Sequence, residues 1–204
     1  MIKTFPILVF MLFLLGCESK EERQLRLNHQ MLSPHLCYTV EAINEGVDVN
    51  FKDREGKTIL VKLTERNMVG EFDNVIKYIL KNTNIDVNAQ DNKGRTALFY
   101  SMELCKISLI TDFLNYGAEP NIKDKEGNTA IFALPLRARN DGDKIIPLLI
   151  NKGAIINEIN SDHETVLDIS IRRLYLDEYM NKLIPLLREY SAKTAAELKT
   201  PFPP

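Results

Sequence analysis

The sequence predicts an all-α solenoid of about five helix-turn-helix repeats with short β-hairpin tips. Three observations carry that expectation. The stretch Asn88 to Leu98 (N-A-Q-D-N-K-G-R-T-A-L) recurs from Asn50 to Leu60 (N-F-K-D-R-E-G-K-T-I-L), from Asn121 to Ile131 (N-I-K-D-K-E-G-N-T-A-I) and, degraded, from Asn157 to Leu167 (N-E-I-N-S-D-H-E-T-V-L). The threonines Thr58, Thr96, Thr129 and Thr165 fall at a near-even spacing of about 38, 33 and 36 residues. Between the copies run apolar stripes at helical spacing, such as Leu109, Ile110, Phe113 and Leu114.

At 204 residues, with 45% hydrophobic and 26% charged residues, the chain has material for one domain of moderate size. A formal net charge of −2 supplies no excess of cation to neutralise phosphates, which argues against a nucleic-acid binder.

The chain opens M-I-K-T-F-P-I-L-V-F-M-L-F-L-L-G-C, with one cation at Lys3, an apolar run from Phe5 to Leu15, then Gly16 and Cys17. This reads as a secretory signal over residues 1–16. About eleven apolar residues at 1.5 Å rise reach only about half of a roughly 30 Å hydrocarbon core, so a spanning helix is not expected. The ending Leu14-Leu15-Gly16-Cys17 resembles the bacterial lipobox. That resemblance implies cleavage before Cys17 and acylation of Cys17, giving a protein tethered to the membrane by lipid alone. Glu18 after the cysteine, by resemblance to enterobacterial lipoproteins, implies the outer membrane facing the periplasm in a Gram-negative cell. Residues 17–24 are then the lipidated cysteine and a charged spacer.

Residues 25–50 form a cap repeat, with Leu25, Leu27, Met31 and Leu32 inward on a first helix and Ser33-Pro34 starting a second. The next repeat, 51–88, carries extra residues around Asn67 to Asp73 between its helices, with Ile76, Ile79 and Leu80 as the stripe of its second helix. The repeat 89–121 is the most regular: Asp91 and Gly94 make a turn, Thr96 is a helix N-cap, and Gly117 closes the second helix. The repeat 122–157 has an inserted turn at Arg137 to Gly142, and Pro147 is expected near the first turn of its second helix, where a missing N–H costs little. The last repeat, 158–198, repeats this with Pro185, and His163 stands where its turn should have Gly, so that hairpin is expected to be distorted. Residues 199–204 are a tail.

The repeated D-x-x-G-x-T, together with endings such as Gly117-Ala118-Glu119-Pro120-Asn121 and Gly153-Ala154-Ile155-Ile156-Asn157, resembles the ankyrin repeat from about Leu36 to the C-terminus. The Pro and His of that family's T-P-L-H signature are absent from every copy, as Ile59/Val61, Ala97/Phe99, Ala130/Phe132 and Val166/Asp168 show. Ankyrin arrays dock proteins on the concave face of tips and first helices. The resemblance carries that role onto Arg54, Glu55 and Lys57; Asn92, Lys93 and Arg95; Lys125, Glu126 and Asn128; and, on the first helices, Arg66, Arg137, Arg172 and Arg173. Phe99 and Tyr100, mid-arc, are expected as aromatic anchors. With Glu65, Glu103, Asp162 and Glu164 counted, cations outnumber anions on this face, which suits an acidic partner surface.

No catalytic signature emerges. His29, His35 and His163 are scattered without metal-ligand spacing, and consecutive Ser161-Asp162-His163 on a turn cannot align as a triad. The expectation is a monomeric, non-enzymatic protein-binding module with no cofactor or metal. Cys37 and Cys105 are expected as buried thiols, too far apart to bridge. Among bacterial ankyrin lipoproteins the pattern resembles immunity proteins that neutralise envelope toxins. The alternative is haem or metal trafficking, or a catalase-associated accessory role, for which no ligand set is visible.

Overall fold

A computed structural model of the chain describes residues 19–33, 35–134, 141–173 and 180–199. Within them run ten α-helices and one 3₁₀ helix. These are α1 (Lys20–Met31), α2 (Leu36–Asn44), α3 (Ile59–Arg66), α4 (Asp73–Asn82), α5 (Ala97–Glu103), α6 (Ile107–Asn115), the 3₁₀ helix (Ala130–Ala133), α7 (Gly142–Asn151), α8 (Val166–Arg173), α9 (Met180–Glu189) and α10 (Ala195–Lys199). First helices pack on first helices, α3 on α5 and α5 on the 3₁₀ helix, while second helices pack α2 on α4, α6 on α7 and α7 on α9. The result is a two-layer stack whose core runs the length of the array, with Leu98, Met102, Leu109, Ile110 and Phe113 all fully buried.

Asparagines bind one repeat to the next. Asn88 donates Nδ2–H to the Gly117 carbonyl at 3.1 Å and accepts from the Glu119 N–H at 2.9 Å. Asn50 does the same to Asn84 and Asp86, Asn121 to Gly153 and Ile155, and Asn157 to Ser191 and Lys193. At the start of the array Gln24 substitutes, its amide pairing with both backbone groups of Asp48 at 2.9 Å. Each amide satisfies a donor and an acceptor of a turn that has no ladder of its own.

Several expectations are corrected. Among the described residues no tip contains a β-strand. Each tip is instead closed by a carboxylate or amide: Asp91 Oδ1 accepts from the Lys93 and Arg95 N–H groups at 2.8 and 2.9 Å, which removes the need for paired strands. Helix α1 begins at Lys20, inside the expected spacer, because Ser19 and Glu22 form a reciprocal capping box. Leu27 and Met31 are buried as expected, but Leu25 is 49% exposed. Helix α2 starts at Leu36, with His35 at the cap position and no side-chain cap bond; Pro34 lies outside the described residues. Thr58 and Thr129 make no cap bond, whereas Thr96 accepts from Phe99 N–H and Thr165 from Asp168 N–H.

The first helix of the fourth repeat is a 3₁₀ turn. Pro135 follows in sequence and has no N–H to give the Ile131 carbonyl, which Leu134 N–H takes instead. Pro147 and Pro185 lie inside their helices, deeper than the first turn. Pro147 is half-buried and Pro185 exposed, so the carbonyls they leave without a donor lie toward water. Cys37 is exposed and Cys105 half-buried, neither joined in a disulfide, and the Cys105 thiol donates to the Met102 carbonyl at 3.5 Å. No helix among the described residues is long and apolar enough to cross a membrane.

Candidate partner-binding face

The tips stack directly on one another. Asn92 N–H donates to the Glu55 carbonyl at 2.8 Å, Lys125 N–H to Lys93 at 2.9 Å, and Ser161 N–H to Glu126 at 2.9 Å. The approach is close enough to dictate glycine. A Cβ on Gly94, whose φ is +79°, would stand 2.9 Å from the Lys125 nitrogen, and one on Gly127 2.9 Å from the Ser161 nitrogen. His163 adopts the same turn with φ +60°, and the tip keeps its bonds, Asn160 N–H to Glu164 and His163 N–H to Asn160, both 3.0 Å. The expected distortion is therefore absent. Among the described residues no further tip stacks on His163, which is exposed, so its side chain has room.

Behind two of the tips lies a second lock, supplied by the residue four places after the threonine. Lys62 Nζ pairs with Asp53 Oδ2 at 2.8 Å, and Tyr100 donates its hydroxyl to Asp91 Oδ2 at 2.6 Å. In the next repeat that position is Ala133, which has nothing to offer, and Asp124 Oδ2 instead faces Arg95 Nε at 3.5 Å. Burial opposes ionisation of Asp53, but Lys62 and the Lys57 and Glu55 N–H groups outweigh it and hold the carboxyl below its usual range. Burial and the bond to Asp91 push the Tyr100 hydroxyl well above its ordinary value.

These locks overturn one prediction. Phe99 and Tyr100 are not aromatic anchors awaiting a partner: they are 4% and 6% exposed. The Arg95 guanidinium lies over the Phe99 ring at 4.8 Å, and Lys57 Nζ stands 5.8 Å from the Tyr100 ring centre. Sequence reasoning placed both aromatics on the face from their helix position and missed the side chains that roof them.

The charges sort into two sets. Lys57 is held by Glu55 at 2.9 Å and Glu65 at 2.7 Å, Arg95 by Glu103 at 3.4 Å and Asp124, and Arg172 by Glu164 at 3.0 Å. Burial lowers the Lys57 pKa, yet the two carboxylates more than reverse this and raise it, so the ammonium is fixed in charge and place. Arg54, Arg66, Lys93 and Lys125 are exposed and form no ion pair among the described residues. Asn92 and Asn128 are partly committed, Asn92 donating Nδ2–H to the Arg54 carbonyl at 2.9 Å and Asn128 accepting from Asn160 at 3.0 Å. Glu126 is exposed, and Arg173 half-buried; Arg137 lies outside the described residues. On the inserted turn, Met68 and Val69 are 75% and 82% exposed, held up by Asn67, whose amide donates to Asp73 at 2.6 Å and accepts from Phe72 N–H at 3.0 Å.

Residues 33–124 match the family model described as ankyrin repeats (3 copies). Over that segment, less than half of its length, the chain is similar to ankyrin repeats. The asparagine bonds of Asn121 and Asn157 continue the same construction past the matched segment. No curated protein matches the chain. Ankyrin repeats are protein-binding modules, and among the described residues no group of three or more His, Cys, Asp or Glu comes together in a way that would hold a metal ion.

Proposed function

We propose that this ankyrin array is a lipid-tethered, non-enzymatic binding protein of the bacterial envelope, anchored through acyl chains on Cys17, which docks an acidic patch of a protein partner on its tips and first helices. The observation that supports the docking reading is the row Arg54, Lys93 and Lys125, one exposed and unpaired cation per successive tip, running beside the compensated pairs of Lys57 and Arg95. Arg54 and Lys125 directly follow their tip aspartates and Lys93 stands one place further on. Exposed cations on successive tips steer an acidic surface and are screened by salt within about 8 Å at physiological ionic strength. An inhibitor or immunity protein against an envelope-acting toxin or enzyme is the role that combines such a surface with a tether, because the anchor concentrates the binder where its target works.

The test has two arms. Cys17→Ser should abolish acyl labelling and membrane fractionation; retained label would reject the anchor. Crosslinking in envelopes, repeated with Arg54, Lys93 and Lys125 all changed to Glu, should lose the partner, whereas Lys77→Glu on a second helix should keep it. Equal loss from both would move the docking face elsewhere, and a haem protein in the crosslinked product would favour trafficking over immunity.

A further inference from the structure

The connection between α3 and α4 is built unlike its counterpart in the next repeat. Asn67 to Phe72 join these two helices, whereas Leu104 to Lys106 suffice between α5 and α6. Both ends of the longer connection are pinned inside the protein. Asn67 is fully buried and bonded to Phe72 and Asp73, and Phe72 is itself buried. Asp73 N–H returns to the Gly70 carbonyl at 3.2 Å, and Gly70 turns the chain with φ +88°. A Cβ on Gly70 would meet Asp73 Oδ2 and Lys106 Nζ, each at 3.4 Å, so the turn also lies against the following repeat. Between these fixtures stand Met68 and Val69, more exposed than any other large apolar side chain among the described residues.

Folding accounts for this frame and not for what it displays. A polar pair at 68 and 69 would keep the same backbone bonds, Met68 N–H to the Arg66 carbonyl at 2.9 Å included, without holding apolar surface in water. Insertions in stacked repeats map to loops on one face, often the binding face. Two adjacent apolar side chains on a turn pinned at both ends project as a knob, so the surface that covers them is a pocket. Charge restricts that surface further. Arg66, on the last turn of α3 and two residues before Met68, is exposed and forms no ion pair among the described residues, whereas Glu65 beside it is held by Lys57 at 2.7 Å. Glu71, exposed two residues after Val69, disfavours an anionic lipid surface.

We infer that Met68 and Val69 are the apolar anchor of the docking face and enter a pocket of the protein partner that carries a carboxylate on its Arg66 side. The inference deepens the docking reading proposed above and rests on it, without depending on the tether. Helix α3, eight residues and about 12 Å long, separates the tip from the knob, a span that one protein interface covers easily. Methionine and arginine are both enriched at such interfaces. The two parts of the surface then divide the work: the tip cations set how fast the partner arrives and how salt affects its arrival, and the knob sets how long it stays.

The full chain is expressed in intact cells with benzoylphenylalanine in place of Lys93, on a tip, or of Glu71, beside the knob. The expected result is one protein crosslinked from both positions. That protein, purified, is titrated against the wild type, Met68→Ser with Val69→Ser, and Arg54, Lys93 and Lys125 all changed to Glu. The serine pair should speed dissociation at least about tenfold, with the association rate, its salt dependence and the helical circular dichroism unchanged. The charge reversals should slow association and flatten its salt dependence. Dissociation of the serine variant within about twofold of wild type overturns the inference and leaves the docking reading standing, as does capture from position 93 alone. Capture from neither position, or from 71 alone, rejects the docking reading and the inference with it. A phospholipid adduct at 71 assigns the knob to the membrane and overturns the inference. Arg66→Glu should weaken binding and Arg66→Lys should largely restore it; a partner indifferent to Arg66→Glu has no carboxylate there and overturns that assignment.

Discussion

The second and third repeats and the ends of the array are built from the same positions but obey different rules. In the middle, the turn glycine is compulsory because the next tip lies 2.5 Å from where a Cβ on Gly56 would be and 2.9 Å from one on Gly94, and the helix positions behind it are fully buried. At the last tip the same turn holds a histidine at φ +60°, and in the first repeat Tyr38, at the place of the buried Leu109, is exposed. The lesson is that constraint in a stacked array belongs to the interface and not to the repeat: a residue is fixed where a neighbour covers it and released where none does.

The largest expected effect tests this in the core. Leu98→Ala, at a fully buried position with a repeat on either side, should cost about 2–5 kcal/mol in denaturant unfolding, because flanking repeats prevent collapse into the cavity. Leu27→Ala, at the matching place in the first repeat, should cost less, near 2 kcal/mol, since a layer covered on one side can relax into the space. Equal losses would mean that both layers are equally rigid.

Next come the tips. Gly94→Ala forces a side chain into the left-handed region and against the Lys125 nitrogen, and should cost roughly 2–3 kcal/mol by adding a lost tip bond to backbone strain. A cost below about 0.5 kcal/mol would show that the tips do not stack as tightly in solution.

How much of this was legible follows the same division. The helix order, the second-helix stripes and the insertion before α4 could be read because periodicity and turn chemistry are local signals, repeated several times over. Tip strands were expected wrongly because a D-x-x-G turn is compatible with either a hairpin or a carboxylate-closed loop, and the bonds made by the tip's own aspartate or asparagine, as at Asp91 and Asn160, decide between them. Phe99 and Tyr100 were misplaced for a related reason. Their helix position points toward the docking face, but the guanidinium over Phe99 and the carboxylate under Tyr100 come from residues whose reach the sequence does not state. The unpaired row of Arg54, Lys93 and Lys125 was visible only as part of a longer list until the ion pairs of its neighbours were known.

The two intact tip locks should part company with pH. Tyr100→Phe leaves Asp91 Oδ2 without its donor and should cost about 1–2 kcal/mol near neutrality. The hydroxyl's pKa is raised in the folded state, so the difference between wild type and variant should be level below the unfolded value near 10 and vanish as pH rises through the folded value. Asp53→Asn keeps the turn, since Asn160 closes the last tip in the same way, but loses the pairing with Lys62, worth up to about 1 kcal/mol for a partly exposed pair. The Asp53 pKa is lowered, so that difference should be whole above the unfolded value near 3.8 and disappear as pH falls through the lower folded value. Paired unfolding curves at acid and alkaline pH decide the matter; if both variants respond on the same side, the locks are not the two chemistries assigned to them.

The smallest effect has the opposite sign. His163→Gly removes the strain of a side chain in the left-handed region, about 1–2 kcal/mol for an ordinary residue, and adds the conformational entropy that glycine loses on folding, about 0.5–1 kcal/mol. The balance is a gain of roughly 0.5 kcal/mol, and it arises without any contact being made or lost, because among the described residues no tip presses on the position. Gly94→His at the matching inner tip would meet the same backbone strain with a neighbour in the way and should be severely destabilising. A thermal unfolding series on the two exchanges therefore reads the interface directly. If His163→Gly destabilised the protein, the exposed imidazole would be making a contact that the last tip uses, and the end of the array would not be as free of constraint as its missing neighbour implies.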